Sequence, residues 1–396
     1  MKGAEIKILF LNQMAGPLFR ELAEDVAQVW PPSILHTGHP HTRLQPGSEG
    51  LVIEPAPVYD RQSTARRLWS WMRYFGSALR VTARQPRSAL LFIVSNPPFL
   101  GLLGLFFKLV RGQRYAVLVY DVYPDLLVGL GALRTGFISR VWTLLNRLVL
   151  EHASLVFTIG DDMARLLERT YDLKRTEAGH AIIVPNWADV ETVRPRTKTD
   201  NPFAMEHGQL GKVTVLYSGN MGNSHDIESI LAVARELKEH ETIRFLMIGE
   251  GAKWSLVEKT VTDEGLHNIT LLPFQPEDVV PFSMTAGDIG IVAYQPGTEE
   301  CMVPSKTCYY MAAGLVPLVV SGTETDLSRK LVGEGCGIWM RTGDTESIKL
   351  EILSLAADLD LLGRYKATAR SCAERFFSRR NTEQFVDALR KYCRMD

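Results

Sequence analysis

Short apolar runs alternate along this chain with longer stretches whose apolar residues recur every three to four positions. That alternation predicts strand-helix-strand units and mainly parallel sheets. Runs at residues 6–11, 51–53, 89–94, 115–119 and 155–159 read as strands, with helix-length segments such as 17–30 and 99–110 between several of them. Residues 160–167, a Gly-Asp-Asp followed by apolar positions, predict an acid-capped helix start, and a strand at 182–184 closes the first half. A polar, proline-bearing stretch at 194–202 predicts the linker. The alternation then restarts, with strands at 213–217, 243–248, 269–272, 288–294 and 315–321 and helices at about 226–238, 254–264 and 305–313. Charged helix is expected over 354–395, free to lie back on either half. The pattern therefore predicts two doubly wound, Rossmann-like α/β domains, residues 1–195 and 203–375, followed by a helical segment at 376–396. Ligands are expected in a cleft between the carboxyl edges of their sheets.

Composition narrows this picture by exclusion. With 396 residues and a formal net charge of -1, the chain is long enough for two ordinary α/β domains and neither figure suggests disorder. The apolar run near the first residue is too short for a leader or a spanning helix, which points to a cytosolic protein. Five cysteines, Cys301, Cys308, Cys336, Cys372 and Cys393, contain no Cys-x-x-Cys pair, so zinc and a disulfide framework are not expected. Cys301 and Cys308 read as packing residues, not nucleophiles.

Three loops carry candidate chemistry. After the strand at 288–294, a polar loop containing Glu299 and Glu300 leads to Pro304, Ser305 and Lys306, placed as a first-turn proline, a capping hydroxyl and a cation at a helix start. Such a start at the carboxyl end of a parallel sheet suits a phosphate. After the strand at 213–217 comes Gly219-Asn220-Met221-Gly222, with His225 next, and after that at 243–248 comes Gly249-Glu250-Gly251. Each also fits an ordinary tight turn or cap. Convergence of three at one sheet edge favours a site.

Taken together, residues 217–226, 248–251, Pro273-Phe274, 288–294, 303–314 and Pro317 resemble the second domain of the family-four retaining glycosyltransferases of GT-B fold. Pro185-Asn186-Trp187 resembles that family's interdomain connection. Ser95-Asn96-Pro97-Pro98 and Tyr120-Asp121-Val122-Tyr123-Pro124-Asp125, with Gly129 and Gly131, resemble the branch that builds bacterial surface polysaccharides of the colanic-acid and O-antigen type. The resemblance implies a nucleotide-sugar donor, most often a UDP-sugar, bound as substrate with no metal and no cofactor. It places the donor at Gly219, Asn220, Gly222, His225, Gly249, Gly251, Phe274, Gln275, Ser305 and Tyr309, with Phe274 and Gln275 near the base. Its catalytic candidates are Asp121, Lys306 and Glu300. Where relatives carry an Arg and a Lys in the first loop, this chain has Asn220 and His225. Of the family's paired glutamates, the second position is Tyr309 and the first Cys301, with Glu299 and Glu300 beside it.

The acceptor side has a separate signal. Between Asp60 and Asp121 no acidic residue occurs, while the same stretch holds ten basic residues from Arg61 to Arg114 interleaved with aromatics. Arg66, Arg67, Trp69, Trp71 and Arg73 form its densest part. Such a surface suits anionic headgroups on the inner face of a membrane and a lipid-linked or glycan acceptor met there. The alternative is a solvated face over a buried helix at 99–110. No recognition motif accompanies the patch, so nucleic acid is not expected. Two rival readings remain: a nucleotide-sugar 2-epimerase of the same fold, and a catalytically inactive homologue acting as a scaffold.

Overall fold

The computed structural model describes residues 7–60, 63–173 and 180–393, so Ile6, Arg61 and Met395, which the sequence reading included, lie outside it. The chain divides into two units, residues 1–128, 133–185 and 380–396 in one and 129–132 and 186–379 in the other.

The first unit is built on a seven-stranded sheet, every pairing parallel. Its strands are β1 (Ile8–Leu11), β2 (Ser33–Thr37), β3 (Leu51–Pro55), β4 (Leu90–Val94), β5 (Tyr115–Val119), β6 (Leu155–Thr158) and β7 (Ala181–Ile183), in the order β3-β2-β1-β4-β5-β6-β7. The connecting helices are α1 (Pro17–Val29), α2 (Thr64–Arg84), α3 (Gly101–Arg111), α4 (Asp125–Gly129), α5 (Phe137–Glu151) and α6 (Asp161–Tyr171). All residues of β1, β4 and β5 are buried, as expected of strands covered on both faces by crossover helices. The apolar pattern marks most of these strands but not β2, where only Ile34 and Leu35 are apolar between Ser33 and His36. Local chemistry sets several ends: Pro17 opens α1, Ser63 Oγ accepts the Arg66 N–H to cap α2, and left-handed Gly112 closes α3.

The second unit carries α7 (Pro202–Glu206), β8 (Val213–Asn220), α8 (Ile227–Glu236), β9 (Ile243–Glu250), α9 (Trp254–Asp263), β10 (Ile269–Leu272), α10 (Val280–Thr285), β11 (Ile289–Ala293), α11 (Lys306–Ala312), β12 (Val316–Ser321), α12 (Asp326–Gly333), β13 (Ile338–Arg341), α13 (Thr345–Ala357) and α14 (Leu359–Phe376). Its six strands run parallel in the order β10-β9-β8-β11-β12-β13. The strand order reverses between β1 and β4 in one sheet and between β8 and β11 in the other. Doubly wound sheets take their ligands at such switch points.

The change of unit falls after Pro185, ahead of the stretch at 194–202 that the sequence marks as linker. That stretch packs into the second unit. Lys198 forms an ion pair with buried Asp288, and Asp288 also accepts from Lys366 Nζ at 2.8 Å and from the Thr214 N–H at 2.9 Å. Burial opposes the charge on Asp288, but Lys366 and Lys198 outweigh it and hold the carboxyl below its usual range. Lys198 is itself pulled down by burial, with Asp288 opposing this and the nearby Lys366 charge adding a smaller push in the same direction. Asp288→Asn should therefore cost about 3 kcal/mol at neutral pH. The stabilisation is present above the unfolded aspartate value of about 4 and fades as pH falls through the depressed folded value. Urea unfolding at pH 7 checks the cost, and an unchanged midpoint would mean that the triad contributes nothing net.

The final helix, α15 (Thr382–Cys393), belongs to the first unit. Thr382 Oγ1 donates to Asp25 at 2.7 Å, Phe385 packs on Phe157 with ring centroids 4.8 Å apart, and Tyr392 donates to Ser154 Oγ at 2.7 Å.

Candidate active site

The loops after β8 and β9 leave the sheet side by side, paired through Gly219 and Gly249. Their approach requires glycine: Gly249 has φ +152°, and a Cβ there would lie 1.9 Å from the Gly219 oxygen. Gly219, at φ +143°, leaves open the space into which Lys306 extends, its Nζ 3.4 Å from where a Cβ would stand. The backbone here is shaped for close approach by something other than side chains.

Lys306 is the decisive group. As a residue it is half-buried, yet its Nζ is shut off from solvent, lies 3.7 Å from the centroid of the Tyr217 ring and has no hydrogen-bond partner among the described residues. Burial pushes its pKa well below the usual lysine value. A buried ammonium with only a ring face for company is poorly stabilised, so the corner favours an arriving anion. Tyr310 fixes the approach of α11. Its ring covers Gly290 of β11, where a Cβ would fall 2.3 Å from it, and its hydroxyl accepts the Ser218 N–H of β8 at 2.8 Å.

The helix around Lys306 matches its expected span to within one residue at each end. It spans Lys306–Ala312, with exposed Ser305 at the N-cap making no side-chain capping bond and Gly314 closing it at φ +75°. Seven residues give a weak dipole, so the positive charge at this corner resides chiefly in the Lys306 amine. Of the neighbouring candidates, His225 is buried, with Nδ1 3.3 Å from the Ala293 carbonyl. Burial, then the nearby Lys306 charge, push its pKa well down, so it is neutral and supplies no cation. Asn220 is exposed at the end of β8, its carbonyl accepting from the Tyr217 hydroxyl at 2.7 Å. Lys253, for which the sequence suggested no role, donates to the His225 carbonyl at 2.8 Å and pairs with Glu228 at 2.6 Å, bracing the loop.

The two glutamates divide. Glu299 accepts the Gly297 and Gly322 N–H groups at 2.7 and 2.9 Å, tying the loop after β11 to that after β12, whereas Glu300 is exposed. Tyr309 is half-buried on α11. Gly222 and Gly251 lie in the two loops, and a Cβ on either would press on Asn220. Phe274 is 42% exposed beyond β10, free to meet a planar ring, and Gln275 donates to the Pro273 carbonyl at 2.8 Å. Cys301 and Cys308 are buried, and burial pushes the Cys308 thiol up to about 12, so both serve packing.

Asp121 lies in the first unit, just beyond β5. Its N–H donates to Ser95 Oγ at 3.2 Å and burial raises its carboxyl to about 6. On α2, Arg66, Arg67, Trp69 and Arg73 are exposed together with Leu68 and Met72. Trp71 is not: it turns inward, stacking on Tyr59 at 6.4 Å with the Arg67 guanidinium 5.5 Å from its centroid. No described helix is long and apolar enough to cross a membrane.

Residues 212–358 match the family profile described as glycosyl transferases group 1. The second unit is a group 1 glycosyltransferase domain. Its match includes β8, the two glycine loops and Lys306. Over 287 residues the chain is 26% identical to a protein of Escherichia coli K12 named putative colanic acid biosynthesis glycosyl transferase WcaI, covering 71% of this chain and 69% of that one. Among solved structures, sucrose-phosphate synthase from Thermosynechococcus elongatus superposes with a TM-score of 0.78 at 14% identity, over 99% of this chain and all of that one. HepE of Anabaena, solved with UDP and glucose, gives 0.72 at 12% identity over 98% of this chain and 100% of that one. Likeness at such identities speaks for the fold, which is GT-B: two parallel, doubly wound α/β domains. The glycosyltransferase domain thus holds the Lys306 corner at its switch point.

Proposed function

We propose that this glycosyltransferase moves a sugar from a nucleotide-sugar, a UDP-sugar, to a lipid-linked or glycan acceptor, with retention of anomeric configuration, during surface polysaccharide assembly. The observation that carries the reading is Lys306 Nζ, buried beside Gly219 and without a hydrogen-bond partner among the described residues. That is the charge a leaving nucleoside diphosphate needs. HepE, of the same fold, was solved with UDP and glucose, and the relative WcaI is named for colanic acid biosynthesis.

In the proposed reaction the donor diphosphate rests against the loops after β8 and β9, with Lys306 on its charge and Phe274 beside the base. An acceptor hydroxyl attacks the anomeric carbon on the face from which the diphosphate departs. One carbon–oxygen bond forms as the other breaks, and the hydroxyl proton passes to a phosphate oxygen of the leaving group. Lys306 and the loop backbone stabilise the charge that develops there, with no metal required. Asp121 stands at the acceptor in the first unit. The exposed face of α2, with Arg66, Arg67, Trp69 and Arg73, rests on the anionic inner membrane surface. No cofactor takes part.

A panel of UDP-, GDP- and dTDP-sugars, incubated with membrane extract with and without EDTA, tests this reading. Release of one nucleoside diphosphate that survives EDTA and requires the lipid fraction is expected, with protein that pellets with that fraction and leaves it at high salt. Release blocked by EDTA would remove the metal-independent step. No release from any donor would favour the inactive-scaffold reading.

A further inference from the structure

The first unit contains a pocket of about 520 Å³, counted out to open solvent, between β4, β5 and the helices α3 and α5. The floor is aliphatic, formed by Val94, Leu102, Val117, Val149 and Leu150. Aromatic rings line it as well: Phe99 lies against Trp142 with centroids 4.4 Å apart, and Trp142 stacks on Tyr123 at 5.9 Å. Phe99 holds a left-handed backbone, φ +70°, which costs a bulky residue conformational energy and holds its ring at the pocket while leaving it 39% exposed.

Several polar groups of the lining are already engaged. Ser95 Oγ accepts the Tyr120 and Asp121 N–H groups, and the Asn146 amide and Tyr171 hydroxyl both donate to the Tyr123 carbonyl. The Asp121 carboxylate, the Tyr123 hydroxyl and the Trp142 indole N–H make no hydrogen bond with the described residues. The aliphatic floor itself offers a sugar's hydroxyls no partner, whereas an apolar chain needs none.

The surroundings suit an amphiphile. Arg67 of α2 lies close enough to Tyr123 to act on its charge, placing a cation near the pocket. From residue 61 to residue 150 the only acidic residues are Asp121 and Asp125, while α5 adds Arg140 and Arg147 to the basic residues of the preceding stretch. Both helices flanking the pocket expose apolar side chains, Phe106 and Leu109 on α3 and Phe137, Ile138 and Leu144 on α5. These faces and this charge complement an anionic lipid.

We propose that this pocket holds the apolar chain, a prenyl or alkyl tail, of a phosphate-linked lipid acceptor, with its phosphate toward Arg67. The proposal rests on the acceptor side of the function proposed above and makes the acceptor a lipid, not a free glycan. The acceptor is thereby held by its chain and offers its hydroxyl near Asp121.

Farnesyl phosphate, used below its micelle concentration and with no donor present, tests the pocket by calorimetry. It should bind saturably and at least about a hundredfold more tightly than five-carbon prenyl phosphate, since each further buried methylene adds to affinity. Inorganic phosphate and free glucose should compete weakly. Leu102→Trp, which fills the pocket, should weaken chain binding at least tenfold while UDP affinity, read in the second unit, is unchanged. Should that variant fail to fold, a diazirine-bearing prenyl phosphate on the unsubstituted protein is expected to label peptides of α3 and α5. Chain-length-independent binding, displacement by glucose, or label confined to α2 would each overturn the proposal. Pocket binding without any sugar transfer would uphold the pocket and overturn only the proposed reaction.

Discussion

Lys306→Ala is expected to lower turnover about a hundredfold, the usual consequence of removing one charge-stabilising group from a developing anion. The geometry gives the effect a signature. Lys306 Nζ is enclosed by the Tyr217 ring, with Tyr310 and neutral His225 at the same corner, and burial holds its pKa well below the ordinary lysine value. Lys253, the other cation that acts on His225, is engaged with Glu228. An arriving diphosphate favours the ammonium. Wherever the working pH lies above the depressed pKa, donor binding must take up a proton, and affinity must fall as pH rises. Calorimetric titration of UDP in buffers of different ionisation enthalpy reads that proton directly. Lys306→Arg, always charged, should bind UDP without it. A near wild-type rate in Lys306→Ala, or binding with no proton uptake at any pH, would remove Lys306 from the site.

Asp121→Asn is expected to have a similar effect, about a hundredfold on turnover, if the carboxylate orients or polarises the acceptor hydroxyl. Burial raises the Asp121 carboxyl to about 6. The acting form is the carboxylate, so kcat/KM should rise with a one-proton slope as pH passes upward through about 6 and level off above it. The asparagine variant should be slow and should lack that limb. If the limb persists in the variant, another group titrates there, and Asp121 does no more than shape its loop. Donor affinity should be the same in both proteins, because Asp121 and the donor corner belong to different units.

Much of the fold is legible from periodicity because parallel strands are apolar throughout and their helices are amphipathic. The strands at 89–94, 115–119 and 213–217 correspond closely to β4, β5 and β8, where burial on both faces leaves little room for polar residues. β2 escapes because His36, although 1% exposed, is a core residue: its ring stacks on Tyr74 and burial lowers its pKa to about 4. α11 keeps its expected span to within one residue at each end, but Ser305, the expected capping hydroxyl, is exposed and makes no side-chain capping bond. Trp71 shows the limit of composition. Among arginines it reads as a surface aromatic, yet it lies against Tyr59.

The glycine loops and Lys306 can be picked out in the sequence because their residue types are demanding: a backbone at positive φ requires Gly219 and Gly249, and a cation at a helix start stands out against apolar neighbours. The partners of Lys306 cannot. Tyr217 and Tyr310 look like ordinary core tyrosines, and only the packing of α11 across β8 and β11 turns one into a floor for the amine and the other into a strut. The pocket behind Asp121 is likewise made of residues from β4, β5, α3, α5 and α6 whose separate sequences carry no mark of a cavity. What the sequence determined by itself was local and repetitive: the alternation of elements, the positions needing glycine, and the long stretch poor in acidic residues. Which ammonium is left without a partner, which carboxyl loses water and which tryptophan turns inward were decided by tertiary structure, because desolvation and pairing depend on groups brought together from distant parts of the chain.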